Sequence, residues 1–151
     1  MKIKGFFVFS TVLLLMLLIG CQQSTSDNPK KPYRSEEAIK NGDIVNAHGK
    51  ISNLEKFNQF IENVNKGVKD KIRITSYTIE GDPIFYNLDY NGKEIKYTYD
   101  ASQDSYGGSG KQSATCSDIV SSNNENGVEY NLNKCSSDVG NTFNFQVPNN
   151  W

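Results

Sequence analysis

The stretch Ile84–Asp100, IFYNLDYNGKEIKYTYD, predicts the central element of the fold. Apolar and polar residues alternate on both sides of Asn91-Gly92, a dipeptide that favours a two-residue β-hairpin turn because both of its positions tolerate positive φ. A register shift of one residue would scatter the apolar side chains over both faces. With a two-residue turn, three pairs lie on one face of an antiparallel hairpin: Leu88 with Ile95, Tyr86 with Tyr97, and Ile84 with Tyr99.

The segments that flank this hairpin also predict strands. Upstream, Lys71–Ile79 alternates isoleucine with basic residues, and the turn sequence EGDP follows it. Downstream, ASQDSYGGSGK predicts a Gly/Ser-rich loop, and TCSDIV is too short to assign to a strand or a helical turn. Two further strands are predicted beyond it, in GVEYNLNKC and in TFNFQV.

Two helices are predicted before the strands. The first is a short turn over Ser35–Lys40 that stops at Gly42. The second begins at Ser52, where Ser52-Asn53-Leu54-Glu55 has the pattern of a capping box. Apolar residues then recur at helical spacing as far as Gly67, which supplies a stop. The sequence therefore predicts an α+β domain with a mostly antiparallel sheet covered by the helix that begins at Ser52.

The N-terminal residues have the three zones of a secretory signal. Lys2 and Lys4 precede an apolar run over Phe6–Ile19, and the polarity changes abruptly after Gly20. An uncleaved anchor helix is the alternative, but the run is short for a stable membrane span. Leu18-Ile19-Gly20-Cys21 resembles the lipobox of bacterial lipoproteins. This resemblance implies a lipoprotein signal peptide over residues 1–20, diacylglycerol or palmitate chains on Cys21, and cleavage before it.

Cleavage at that point divides the remainder into a tether and one domain. Residues 21–34 contain no aliphatic side chain and two prolines, which predicts a flexible tether. Residues 35–151 have a normal length for a single domain. Loss of the two lysines in the signal changes the net charge from −1 to −3. This acidic balance argues against a nucleic-acid partner, and membrane attachment is assigned to the lipid on Cys21 alone.

The other two cysteines are predicted to pair with each other. In an oxidising compartment outside the membrane, Cys116 and Cys135 most simply form a disulfide that closes a loop of about twenty residues. A metal site or a redox pair is the alternative. It has little support, because there is no CxxC motif and the single histidine, His48, is distant in sequence.

The sequence assigns no catalytic residue, metal ligand or cofactor. A catalytic triad would have to use His48, which lies in a polar turn predicted to precede a helix. Asp82 lies beside Pro83, where turn geometry alone favours aspartate. The segment DASQDSYGG, residues 100–108, brings two acids to a flexible loop, but its spacing does not match a calcium-binding EF-hand.

Much of the chain, from Asn41 to Cys135, resembles a family of small lipoproteins from bacilli and related Gram-positive bacteria. Its most recognisable parts are YTIEGDPI and YTYDASQDSYG, together with the two later cysteines. That family carries a domain of unknown function. The resemblance implies an envelope location, on the extracytoplasmic face of the cell membrane, and a two-cysteine domain. It implies no substrate, cofactor or catalytic residue.

Two classes of function follow from these observations. The first is a membrane-tethered module that binds an envelope protein or a wall ligand, with a tyrosine-rich sheet face as the candidate surface. This hypothesis requires an exposed aromatic patch. The second is a small wall-directed hydrolase, which requires that Glu80, Asp82 and Asp100 converge in one cleft. The tyrosines of the first hypothesis are Tyr77, Tyr86, Tyr90, Tyr97, Tyr99, Tyr106 and Tyr130.

Overall fold

The structure is a computed structural model that describes residues 32–108 and 110–149. The predicted signal peptide, the acylation of Cys21 and the tether as far as Lys31 lie outside these residues. Pro32 begins the compact unit to which the description applies. Neither of the described helices combines the length and the apolar character that a membrane crossing requires.

The domain has an α+β architecture with two helices, one short 3-10 helix and eight strands. In chain order they are α1 (Ser35–Asn41), β1 (Ile44–Ala47), β2 (Lys50–Ser52), α2 (Leu54–Asn65), β3 (Asp70–Tyr77), β4 (Pro83–Tyr90), β5 (Ile95–Asp100), β6 (Lys111–Asn124), β7 (Gly127–Cys135), the 3-10 helix (Asp138–Thr142) and β8 (Asn144–Pro148).

All eight strands form one sheet in the order β2-β1-β3-β4-β5-β6-β7-β8. From β3 onwards each strand pairs with the next one along the chain, and every pair is antiparallel. The one parallel pair joins β1 to β3, because β2 and α2 form the crossover between them. The predicted fold class, a mostly antiparallel sheet with a covering helix, is confirmed.

Helix α2 buries its apolar stripe against one face of the sheet. Phe57 and Phe60 are completely buried there. The sheet curls far enough for its last strands to reach the same helix: the Phe57 ring lies 4.8 Å from the ring of Tyr130 on β7 and 4.6 Å from that of Phe145 on β8. Burial of a phenylalanine side chain stabilises a fold by about 1.5–3 kcal/mol, so these contacts hold both ends of the sheet to α2.

The start of α2 differs from the predicted capping box. Ser52 is the last residue of β2, and Asn53 takes the N-cap position with a positive φ of 58°. Its side-chain amide donates hydrogen bonds to the carbonyls of Ile39, at 3.0 Å, and Asp43, at 2.7 Å. The capping-box prediction was wrong because Ser52 is drawn into a strand and Asn53 fixes the helix entry to the preceding elements.

The β4–β5 hairpin has the predicted faces but not the predicted register. Tyr90 pairs with Ile95, so Asn91–Glu94 form a four-residue connection rather than a two-residue turn. The Asn91 carboxamide oxygen accepts the backbone N–H groups of Lys93, at 2.9 Å, and of Glu94, at 3.1 Å, which stabilises the longer turn. The register differs by two residues, and a shift of two leaves every side chain on its predicted face.

Two regions were missed or left open by sequence patterns. The turn at His48-Gly49, where φ is 53° and 87°, joins β1 to β2 as a tight hairpin instead of leading directly into a helix. The unassigned TCSDIV segment belongs to β6, a strand of fourteen residues. The predicted strand over residues 127–135 is confirmed as β7, and the final strand is confirmed as β8.

The sulfur atoms of Cys116 and Cys135 lie 2.05 Å apart, at disulfide-bond distance. The two residues are cross-strand partners in β6 and β7. Gly140, in the 3-10 helix, packs directly on them: a Cβ atom at this position would overlap the Cys135 sulfur. The absence of a side chain at Gly140 therefore lets the 3-10 helix close over the cysteine pair.

Candidate binding groove on the uncovered sheet face

The face of β3–β6 that points away from α2 carries a polar surface built from cross-strand neighbours. Because strand side chains alternate between faces, the residues between the core positions meet here as rows across the four strands. The three rows are Lys71-Asp89-Lys96-Thr115, Arg73-Asn87-Thr98-Ser113 and Thr75-Phe85-Asp100-Lys111.

One end of this face is closed by the chain that enters the domain. The Tyr33 ring lies 5.6 Å from that of Phe85, and its hydroxyl donates to the carboxylate of Asp43 at 3.0 Å. The Thr75 hydroxyl donates to the same carboxylate oxygen at 2.7 Å. The Asp43 side chain is only 7% exposed, and these two bonds satisfy it. Tyr33, predicted to belong to the tether, therefore contacts the folded domain.

Tyr77 completes this closed end. Its hydroxyl donates to the backbone carbonyl of Tyr33 at 3.0 Å. Burial, reinforced by the nearby Tyr33 and Asp43, raises the pKa of Tyr77 to about 12. The phenol therefore stays protonated well above neutral pH, and its hydroxyl remains a donor to the entering chain.

Beyond Phe85 the face opens into a groove of about 380 Å³. Phe85 is only 7% exposed and forms an apolar floor at one end, while polar and charged side chains line the rest. A concave surface with a few convergent polar groups is typical of a ligand site. The lining residues are Arg73, Phe85, Asn87, Asp89, Lys96, Thr98, Asp100, Gln103 and Lys111.

Arg73 is held in place by two contacts. Its Nε donates to the carboxamide oxygen of Asn87 at 2.9 Å. Its guanidinium carbon lies 5.3 Å from the centroid of the Phe85 ring, within the range of a cation–π interaction. These contacts use one edge and one face of the guanidinium group and fix its plane at the groove.

Asp100 is an ionised acceptor with fixed partners. Burial alone would raise its pKa, but hydrogen bonds from the hydroxyl and amide of Ser102 and the nearby cations Lys111 and Arg73 outweigh that effect and lower the pKa of Asp100. The Ser102 hydroxyl lies 2.6 Å from one carboxylate oxygen, and the Lys111 ammonium lies 3.8 Å from the other. This arrangement suits a structural anion better than a proton-transferring acid.

The carboxylates of the hydrolase hypothesis do not meet in the groove. Asp100 lines it, whereas Glu80 and Asp82 are not among the lining residues. Glu80 is exposed, and Asp82 accepts the backbone N–H of Ser105 at 2.8 Å. Within residues 32–108 and 110–149, histidine, cysteine and acidic side chains form no group of three that could hold a metal ion.

The tyrosines proposed as a ligand face are mostly core residues. Tyr90 and Tyr97 are buried in the core under α2, and Tyr86, Tyr99 and Tyr130 are half-buried and pack against it. Their position supports the fold instead of offering an aromatic surface. Tyr106, which is 84% exposed, is a single side chain in the β5–β6 loop.

Sequence reasoning missed the residues that line the groove, Arg73, Asn87 and Lys96 among them. They occupy the polar positions of the same strands that were predicted from their apolar positions. The usable signal was the presence of basic and amide side chains at alternate positions of consecutive strands. The sequence patterns did not pair β3 with β4, and it is this pairing that puts Arg73 directly opposite Asn87.

Comparisons with known proteins identify a family and no closer relative. Residues 41–131 match the family model described as a domain of unknown function, DUF4362. The matched region contains β3–β6 and therefore the four strands of the groove. Neither the curated proteins nor the solved structures provide a match. Because the family model covers more than half of the chain, this protein belongs to the DUF4362 family.

Proposed function

We propose that this protein is a lipoprotein of the bacterial cell envelope, related to the small lipoproteins of bacilli, which binds a polar envelope ligand. Acylated Cys21 anchors it to the extracytoplasmic face of the cell membrane, and residues 22–31 form the tether. The basis for the anchor is the charged start, the apolar core and the lipobox-like Leu18-Ile19-Gly20-Cys21. Two acyl chains hold a protein to a bilayer more firmly than one chain does.

The observation that carries the binding role is the groove across β3–β6. No residue of either helix lines this groove. The same sheet face is covered only at its closed end, where Asp43 contacts Thr75. The β-sheet fixes the backbone of the groove, so its side chains lie on a rigid element, as a binding site requires. The fixed partners of Asp100 favour binding over acid–base catalysis.

The anchor is tested by metabolic labelling with radioactive palmitate in the native host. The wild type is expected to incorporate label and to migrate as a cleaved chain, whereas Cys21→Ala is expected to carry none. Cys116→Ala with Cys135→Ala is the matched control and is expected to keep the label. Equal labelling of Cys21→Ala and wild type would refute the anchor.

The binding role is tested by sedimentation with isolated cell envelopes. The probe is the processed chain, Cys21–Trp151, carrying Cys21→Ser so that it has no acyl chains. Thr98→Trp fills the centre of the groove and is expected to abolish co-sedimentation. Ser122→Trp adds the same ring to the exposed outer part of β6 and is expected to have no effect. Undiminished binding of Thr98→Trp would refute the groove as the site.

A further inference from the structure

We infer that the groove binds one anionic group of its ligand, a phosphate or a carboxylate, between Arg73 and Lys96 and above Asn87. This inference rests on the proposed function and adds the chemical class of the ligand. It is drawn from the charge of the sheet face, the fixed guanidinium group and the free donors around it.

The sheet face is basic within a chain that is slightly acidic. The whole chain has a net charge of −1. The three rows carry four cations and two carboxylates, so the face is positive on balance and attracts anions. The cations are Lys71, Arg73, Lys96 and Lys111, and the carboxylates are Asp89 and Asp100.

The terminal nitrogens of Arg73 are free for a ligand. Its Nε is engaged by Asn87, and Phe85 lies against its plane. Among the described residues, no carboxylate lies within ion-pair distance of Arg73 or Lys96. A planar guanidinium with both terminal amino groups available matches the paired oxygens of a carboxylate or phosphate. Arg73 is therefore an anion receptor whose orientation is set before the ligand arrives.

Asn87 supplies a neutral donor at the same place. Its carboxamide oxygen accepts from Arg73, which fixes the orientation of the amide and leaves its NH2 group as a donor. Asn87 lies on β4, directly across from Arg73 on β3 and from Thr98 on β5, and Lys96 on β5 is its diagonal neighbour in the adjacent row. Adjacent strands lie about 4.8 Å apart and a diagonal neighbour lies about 7–8 Å away, so the long side chains of Arg73 and Lys96 can both reach the space above Asn87.

The two carboxylates limit the number of anionic groups. Asp100 is neutralised by Lys111 and by its bonds from Ser102. Asp89 is exposed and lies directly across from Lys96 and Lys71. A polyanion laid along the groove would meet both carboxylates, whereas one anionic group above Asn87 meets Arg73 directly across on β3 and Lys96 diagonally on β5. The geometry therefore favours a ligand with a single anionic end and a polar remainder.

The test compares three ligands with related three-carbon skeletons: glycerol phosphate, glycerate and glycerol. The processed chain with Cys21→Ser is titrated with each, and the amide signals of Asn87 and the Nε–H signal of Arg73 are followed by NMR. At least one of the two anions is expected to bind at least about tenfold more tightly than glycerol. The shifts are expected to include both named side chains.

Variants separate the contribution of the planar Arg73 guanidinium group to anion binding from the contribution of its charge. Arg73→Gln is expected to weaken anion binding by about 10- to 100-fold, because a charge-assisted bidentate contact is lost. Arg73→Lys retains the charge and loses the planar fork, and a weakening of at least about fivefold is expected. Lys93→Gln removes the same charge outside the groove and is expected to change affinity less than about twofold. Thermal unfolding of each variant verifies that it is folded.

Two further arms identify the source of the anion. Vesicles of phosphatidylglycerol, compared with phosphatidylcholine, report a lipid headgroup, whereas binding of soluble glycerol phosphate or glycerate without vesicle binding reports a ligand of the wall or medium. Glycerol binding as tight as that of the anions would overturn the inference and leave the groove as a polar binding site. Equal affinities of Arg73→Gln and Lys93→Gln would also overturn it. Undiminished co-sedimentation of Thr98→Trp with cell envelopes, in contrast, refutes the proposed function itself.

Discussion

Removal of the bond between Cys116 and Cys135 provides a direct measure of how this domain is stabilised. The two residues are 19 positions apart, so the bond closes a loop of about twenty residues. The chain-entropy relation assigns such a loop about 3 kcal/mol at 25 °C, because the cross-link restricts the unfolded chain. Cys116→Ala combined with Cys135→Ala is therefore expected to lower the free energy of unfolding by about 3 kcal/mol. This is a substantial part of the 5–15 kcal/mol typical of a folded domain.

The assay is urea unfolding followed by circular dichroism. With a slope of about 1–3 kcal/mol per molar urea, the midpoint is expected to fall by about 1–3 M. Reduced wild-type protein is the control, because it lacks the cross-link but retains both sulfur atoms. Cys116 is completely buried, so the alanine variant is expected to be slightly less stable than the reduced wild type. A midpoint equal to that of the oxidised wild type would refute the reasoning.

Three further predictions concern the core and the titrating groups. Phe57→Ala is expected to lower the free energy of unfolding in urea by about 3–5 kcal/mol, whereas Ile79→Ala, at a side chain that is 91% exposed, should change it by less than about 0.5 kcal/mol; equal effects would contradict the assigned core. Hydrogen bonds and cations lower the folded-state pKa of Asp100, so its contribution to stability is present above about pH 4 and is lost as the pH falls. In urea unfolding, Asp100→Asn should therefore lose less stability than wild type between pH 6 and pH 3, and equal losses would contradict this. Burial raises the pKa of Tyr97, so its contribution to stability is present below about pH 10 and is lost as the pH rises above that value. Thermal unfolding of Tyr97→Phe between pH 9 and 11 should show a smaller loss of stability than wild type, and an equal loss would exclude this residue as the cause.

The faces of the central hairpin were predictable from sequence, whereas its register was not. The alternation of apolar and polar residues determines which side chains share a face, and that information survives a shift of two positions. The length of the turn depends on whether the Asn91 carboxamide accepts the N–H groups of Lys93 and Glu94. Asn-Gly is compatible with both turns, so the dipeptide alone does not separate them.

The start of α2 shows a second limit of local patterns. Ser52 and Glu55 have the spacing of a capping box, yet Ser52 pairs with Val45 in the β1–β2 hairpin. The bonds from Asn53 to Ile39 and Asp43 join positions that are 14 and 10 residues apart. Such contacts depend on the folded arrangement of α1 and β1, so a tertiary interaction overrides the local preference.

The groove was not predictable because each of its residues, taken singly, is of a type common at exposed strand positions. Arg73 and Lys96 have the appearance of exposed strand positions that keep a sheet soluble. Their significance comes from the strand pairing that puts Arg73 opposite Asn87 with Lys96 in the adjacent row, and from the contact of Phe85 with Arg73. The tyrosines of β4 and β5 were the stronger signal in the sequence, and they pack in the core.

The order of the strands also has a consequence for how the chain reaches its native state. From β3 to β8 every strand pairs with its neighbour in sequence, so six strands can be added by successive short-range loop closures. The parallel pair of β1 with β3 is the exception, since it must close over β2 and α2. Folding is therefore expected to be faster than in a sheet of the same size whose strands pair with distant partners. Among the strand pairings, the step that joins β1 to β3 carries the largest loop-closure cost.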